Sequence, residues 1–215
     1  MSTKKINTTD SLKFLGVILE STLTWGKHTD LITSKLNSLG YMIRFLRPVL
    51  SLHVIKQIYF SYVHSVLTYS IIFWGNAPSS KTVFIAQKRI LRIIMNAKTN
   101  ESCRTIFRNL GTLTLYSQYI LSIIMFVAKN RQLFTSNDSI HNIDTRHKLD
   151  LHVPSVKLTK VQKGVYYSGT ILFNALPIHI KMVAYNIKKL KQELKRFLLE
   201  KSFYSVKEYL DYERQ

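Results

Sequence analysis

The sequence predicts a mainly α-helical protein: a helical bundle with a short N-terminal β element and a small basic C-terminal region that is α or α+β. Three observations carry this reading. Apolar residues recur at helical spacing through most of the chain, one early segment reads as extended, and Lys and Arg dominate the last third. Residues 146–200 alone carry eleven Lys/Arg against three Asp/Glu.

Leu12 to Leu19 reads as a strand, or a hairpin of two, with a tight centre at Gly16. Its β-branched residues favour extension, and glycine permits a bulge or close backbone approach. From His28 the period changes: Leu31, Ile32, Leu36, Leu39, Ile43 and Leu46 share a helical face, and Pro48 supplies the stop. A second helix is expected over about Leu50 to Phe73, broken by Trp74-Gly75-Asn76-Ala77-Pro78. Ser79 or Ser80 is placed to cap a third, which runs to about Met95 with Val83, Ile90, Leu91 and Ile94 buried. Helices over Cys103 to Leu110 and Leu115 to Lys129 follow. The polar segment Phe134 to Leu149, containing Asn137-Asp138-Ser139, is the natural boundary. Val156 to Tyr167 reads as strand or irregular structure around Gly164, and Asn174-Ala175-Leu176-Pro177 as a turn. From Asn186, the stripe Leu190, Leu194, Phe197 and Leu198 describes a last amphipathic helix.

Composition narrows the chemistry. In 215 residues, 31 Lys+Arg against 12 Asp+Glu leave a formal charge of +19. Such a surplus favours a polyanionic partner, because cations set against phosphates displace condensed counterions. The single cysteine, Cys103, makes neither an internal disulfide nor a multi-thiolate zinc site. The polar start has no apolar leader core, and the greasiest tract, Leu113 to Ala128, is punctuated by Tyr116, Ser117, Gln118 and Ser122. A buried helix explains that tract better than a membrane span, so no membrane partner is expected and an intracellular compartment is the default.

Polymerase or nuclease chemistry needs carboxylates that converge on metal ions. Asp10, Glu20, Asp30 and Glu101 stand isolated, and neither a P-loop nor a GxSxG elbow occurs. Asp144, His147 and His152 have no persuasive ligand spacing. His28 and His64 are separated and lack an acidic orienter, which favours structural roles. Hence no catalytic residue, metal ligand or cofactor is assigned to this chain.

Two basic helices are candidates for nucleic-acid contact. Lys88 and Arg92 lie on one helical face and Arg89 widens it; Lys188, Lys191, Lys195 and Arg196, with Lys189, form the second set. Both sets also read as ordinary solvated faces of a basic protein. Tyr59, Tyr62, Tyr69, Phe73 and Trp74 could stack on bases, but packing accounts for them more simply, and Trp25 and Trp74 read as anchors of helix–loop junctions.

A succession of short segments adds to this reading. In order they are Lys13-Phe14-Leu15-Gly16-Val17-Ile18-Leu19, Leu23-Thr24-Trp25-Gly26-Lys27-His28, Tyr69-Ser70-Ile71-Ile72-Phe73-Trp74-Gly75 and Ile85-Ala86-Gln87-Lys88-Arg89-Ile90-Leu91-Arg92-Ile93-Ile94. Thr145-Arg146-His147, Leu151-His152-Val153-Pro154, Gln162 to Gly169, Phe173 to Pro177 and Ser202 to Tyr209 continue it. Their order, spanning most of residues 12–209, resembles the region after the catalytic palm of jockey-like non-LTR retrotransposon reverse transcriptases.

The resemblance implies a late-palm, primer-grip-like segment over residues 1–24, a helical thumb/connector over 25–132 and a basic C-terminal region over 133–215. It implies that Phe14, Leu15 and Gly16 help position a primer backbone, and that the helices steady a template–primer duplex or RNA–DNA hybrid. It further implies RNA-directed DNA synthesis with Mg2+ only in a complete polymerase, a palm as possible partner, and a nuclear setting. The expectation is therefore a non-catalytic fragment of that polymerase, inactive alone. The alternatives are a domesticated nucleic-acid-binding or protein-interaction module, or an inert element remnant.

Overall fold

The computed structural model describes residues 9–137 and 150–212. Strand β1 (Ser11–Phe14) pairs antiparallel with β2 (Val17–Glu20), with Phe14 opposite Val17 and Ser11 opposite Glu20. The early extended segment is therefore a hairpin, and Leu15 and Gly16 are its turn rather than a bulge. Both have positive φ, 45° and 81°, which tight hairpin turns of the primed types require and glycine tolerates best. The Tyr69 hydroxyl donates to the Leu15 carbonyl and holds the strained tip.

Helix α1 (Gly26–Leu46) follows at once, with Ile32, Leu36 and Ile43 buried. The helix expected over residues 50–73 is interrupted. It comprises α2 (Leu52–Ile58), a π-helical stretch (Tyr59–His64) and α3 (Ser65–Thr68); the chain then breaks before α4 (Ile71–Trp74). Tyr69 is extended and Ser70 left-handed (φ 53°). Side-chain hydrogen bonds accompany this departure. The Ser65 and Thr68 hydroxyls donate back to carbonyls of the preceding turn, which competes with the helical ladder. The released Tyr69 carbonyl accepts the Trp74 indole N–H instead.

Helix α5 (Ser80–Met95) begins after Ser79, which occupies the capping position without a side-chain capping bond. Helices α6 (Cys103–Leu110) and α7 (Leu115–Lys129) match the apolar spacing. Around Gly164 there is no strand among the described residues: α8 (Thr159–Gln162) precedes the glycine, and α9 (Val165–Asn174) follows it. The chain ends with α10 (Ile178–Lys181), α11 (Ile187–Lys201) and α12 (Val206–Tyr212). Most of the proposed boundary segment, including Asp138, Ser139, Asp144, Arg146 and His147, lies outside the described residues.

Helix α7 sits at the centre, with buried residues around nearly its whole circumference. α9 and α11 pack on it from the C-terminal part of the chain, and α3, α4 and α5 from the other side. No single described helix is long and apolar enough to cross a membrane; α6 and α7 pass on length and composition only as a pair bent by 51°. One apolar cluster accordingly extends from Ile32 to Tyr209.

Polar contacts fix the periphery. Asn174 brackets Leu151, accepting its N–H and donating to its carbonyl, both at 2.8 Å. Arg104 on α6 donates to the carbonyls of Lys201 and Ser202 and pairs with Glu208 at 2.8 Å. Glu208 also accepts the Tyr204 N–H, and Ser205 caps its own N–H.

The hairpin is tied to α1 through His28, whose Nδ1 accepts the Ile18 N–H at 3.3 Å. Burial, and secondarily the Lys35 charge, lower this imidazole's pKa from the ordinary 6.5. The folded chain thus favours the neutral ring. Its stabilisation is complete above about pH 6.5 and falls on acidification, because the unfolded chain takes up a proton that the folded chain resists. The denaturation midpoint should decline from about pH 7 to about pH 5. His28→Gln should flatten part of that decline; an unchanged pH profile in the variant would refute the assignment. His64, also lowered by burial and then by Lys195, contributes with the same sign.

Candidate nucleic-acid interface

Helices α1 and α5 form one wall of the molecule. The Thr33 and Thr82 hydroxyls meet at 3.4 Å, Arg89 reaches Asn37 Oδ1 at 3.4 Å, and Arg47 Nε donates to the Ile94 carbonyl at 2.7 Å. Residue numbers rise together along this seam, so the helices run parallel and finish at the same end. Gly40 permits the close approach: a Cβ there would lie 3.2 Å from Ile90 Cγ1.

Where the two helices finish, Arg44, Arg47, Arg89 and Arg92 line an open cleft of about 530 Å³, with Ile85, Ile93, Asn96 and Thr99 among its other walls. No carboxylate lines it. Part of this charge is structural, since arginines near helix C-termini offset exposed carbonyls and the negative end of the macrodipole. That dipole amounts to roughly half a charge per helix, so four guanidinium groups leave a clear positive surplus. Hydrogen bonding leaves donors over as well. Each guanidinium has five N–H groups, whereas Arg47 commits Nε to Ile94 and Arg92 commits Nη2 to the Glu101 carbonyl at 2.9 Å. Arg92 Nε is buried without a hydrogen-bond partner.

The expected Lys88–Arg89–Arg92 face is divided. Arg89 and Arg92 enter the cleft, whereas Lys88 is half-buried, its Nζ 4.7 Å from the Phe84 ring centre and 5.3 Å from that of Tyr204. Arg44 at the end of α1 and Arg47 just past it, neither of which the sequence singles out, join Arg89 and Arg92 instead of Lys88. Cys103 lies buried nearby, its thiol pKa raised mainly by burial.

On α11, Lys188, Lys189, Lys191, Lys195 and Arg196 are all exposed, and Asn186 caps the helix through the Lys189 N–H. Arg196 is paired with Glu193 one turn away. The lysines of this face are thus available at the surface, whereas Arg196 lines a cleft of about 330 Å³ with Pro177, His179 and Tyr212, in which Glu193 and Glu200 offset its charge. Phe14 and Leu15, for which a primer-grip role is the expectation, project at the hairpin tip, 57% and 75% exposed. Gly16 lies against the Tyr69 ring.

The aromatics separate cleanly. Tyr59 and Trp74 are buried, whereas Tyr62, Tyr69 and Phe73 are exposed at the surface. Trp25 stacks on Phe73 at the junction before α1, with ring centres 6.2 Å apart. Among the described residues, no group of three or more His, Cys, Asp or Glu could hold a metal ion. Among these residues, then, no three such groups converge to cage the magnesium that polymerisation would use.

Comparison of the chain with protein-family models, with curated proteins and with solved structures finds no match.

Proposed function

We propose that this chain holds a template–primer duplex, as an RNA–DNA hybrid, by contacts to its phosphate backbone, within the replication machinery of a jockey-like non-LTR element and without performing the polymerisation chemistry. The observation that carries this reading is the carboxylate-free cleft into which four arginines converge. Planar guanidinium groups suit phosphate oxygens, and such contacts fix orientation without reading base sequence. The exposed α11 lysines would extend the track, and the hairpin tip would approach the primer end. The ordered succession of segments described above supplies the link to the retrotransposon polymerases.

Binding should be salt-limited. Four phosphate contacts correspond to a slope of about −3.6 in log K against log salt on B-form DNA, and to a similar order on a hybrid. Neutralising Arg44 and Arg89 together should reduce that slope by about two and weaken all duplex sequences alike. Fluorescence anisotropy with a labelled hybrid across a salt series reads both quantities. Binding that is indifferent to salt, or unaffected by the double variant, would dismiss the cleft as a duplex contact.

A further inference from the structure

Beside the arginine cleft lies a surface that duplex phosphates would not use. Tyr41 and Phe45 are 64% and 62% exposed, and their rings meet edge to face with centroids 4.8 Å apart. The two rings flank Arg44 on α1: Tyr41 stands one helical turn before it, and Phe45 directly after it, one turn on from Tyr41. Asn37, Tyr41 and Arg44 run along one face of α1, and Pro48 continues it in the following turn; this face borders the cleft, since Asn37 contacts Arg89, and Arg44 and Pro48 line the opening.

Aromatic rings at helical spacing are usually core, but these are not covered by the protein's own packing. Two exposed rings adjoining a carboxylate-free cationic cleft form the combination that recognises unpaired nucleotides: phosphate held by guanidinium, base laid on an aromatic face. In a duplex the bases are stacked on one another and cannot reach the rings.

The geometry points to a site for a single-stranded extension of nucleic acid, with its phosphate in the cleft of Arg44, Arg47, Arg89 and Arg92 and the adjoining unpaired base against Tyr41 and Phe45. This inference rests on the nucleic-acid reading above and refines it, from duplex backbone alone to the junction where a duplex gives way to a single strand. A protein partner would have to supply acidic groups and an apolar face together, and its binding would compete with the oligonucleotide.

The test compares blunt hybrid with the same hybrid carrying a short overhang, in DNA and in RNA versions, against wild type, Tyr41→Ala/Phe45→Ala and Arg44→Gln/Arg89→Gln. Wild type should favour the overhang by at least about fivefold, the gain expected from one stacked base. The aromatic double variant should lose that preference while keeping its affinity for blunt hybrid. The arginine double variant should weaken both substrates. Unchanged circular dichroism and denaturation midpoint show that either variant is folded, as expected for exposed positions. Equal affinity for blunt and overhanging hybrid in wild type overturns the inference and leaves the duplex reading standing. A preference that survives loss of both rings also overturns it. Failure to bind any of the substrates overturns both readings.

Discussion

Gln87→Leu is expected to cost about 3–6 kcal/mol of stability, although the two side chains are similar in size. Gln87 is buried at the centre of α5 and serves three neighbours. Its Nε2 donates to the Tyr59 hydroxyl at 3.1 Å and to the Leu113 carbonyl at 3.0 Å, and its Oε1 accepts the Leu115 N–H at 2.9 Å. These contacts fasten the π-helical stretch to α5 and fix the first turn of α7. Leucine would fill the volume but leave the Leu113 carbonyl and Leu115 N–H without this partner inside the core. Each stranded group costs roughly 1–3 kcal/mol, and Tyr59 would keep only its 3.3 Å contact to Thr112. Against a domain stability of about 5–15 kcal/mol, the loss should be conspicuous in a urea midpoint. Ile85→Thr, on the exposed side of the same helix, should change it by about 0.5 kcal/mol at most. Near-equal midpoints for the two variants would remove Gln87 from its role as a hub.

Gln87 also illustrates what a single sequence discloses. The apolar stripes of α1, α5, α7 and α11 were legible because burial enforces a 3.6-residue period, and Pro48 and the Trp74–Pro78 stretch punctuate them in ways that local chemistry dictates. A polar residue serving as a hub carries no periodic signature. Its partners come from positions 59, 113 and 115, which only the folded chain assembles. The break at Tyr69–Ser70 was hidden for the opposite reason: its flanks, Val63–Leu67 and Ile71–Trp74, keep an apolar pattern that suits a continuous helix. The cleft was half visible. Arg89 and Arg92 stand out in sequence beside Lys88, whereas Arg44 and Arg47 sit at the C-terminal end of a helix, where basic residues are commonplace and draw no notice. One signal could have found them: two arginines one turn apart immediately before a proline stop, on a helix whose apolar face demands a long neighbour. The sign of the charge was available from composition; its convergence depended on α1 and α5 running parallel, and the sequence does not state helix direction in space.

Trp74→Ala should be the most damaging single truncation, costing about 3–5 kcal/mol. The indole is completely buried, and its edge contacts His28 with ring centres 6.0 Å apart. Its loss would therefore open a cavity beneath both α4 and the start of α1. The more discriminating variant is Trp74→Phe. Phenylalanine refills much of the space but cannot donate to the Tyr69 carbonyl, which the indole reaches at 3.0 Å. That carbonyl is free of the helical ladder because Tyr69 is extended, so losing its donor should cost about 1–3 kcal/mol beyond the packing change. The consequence should extend to the hairpin, since the Tyr69 hydroxyl holds the Leu15 carbonyl and His28 receives the Ile18 N–H. Hydrogen exchange at Ile18 should consequently accelerate in Trp74→Phe, while the amides of α11 remain protected up to the lowered global limit. If Ile18 exchange and the denaturation midpoint both stay at wild-type values, the indole hydrogen bond does not hold the helix break, and the hairpin tip owes its position to the contacts of α1 alone.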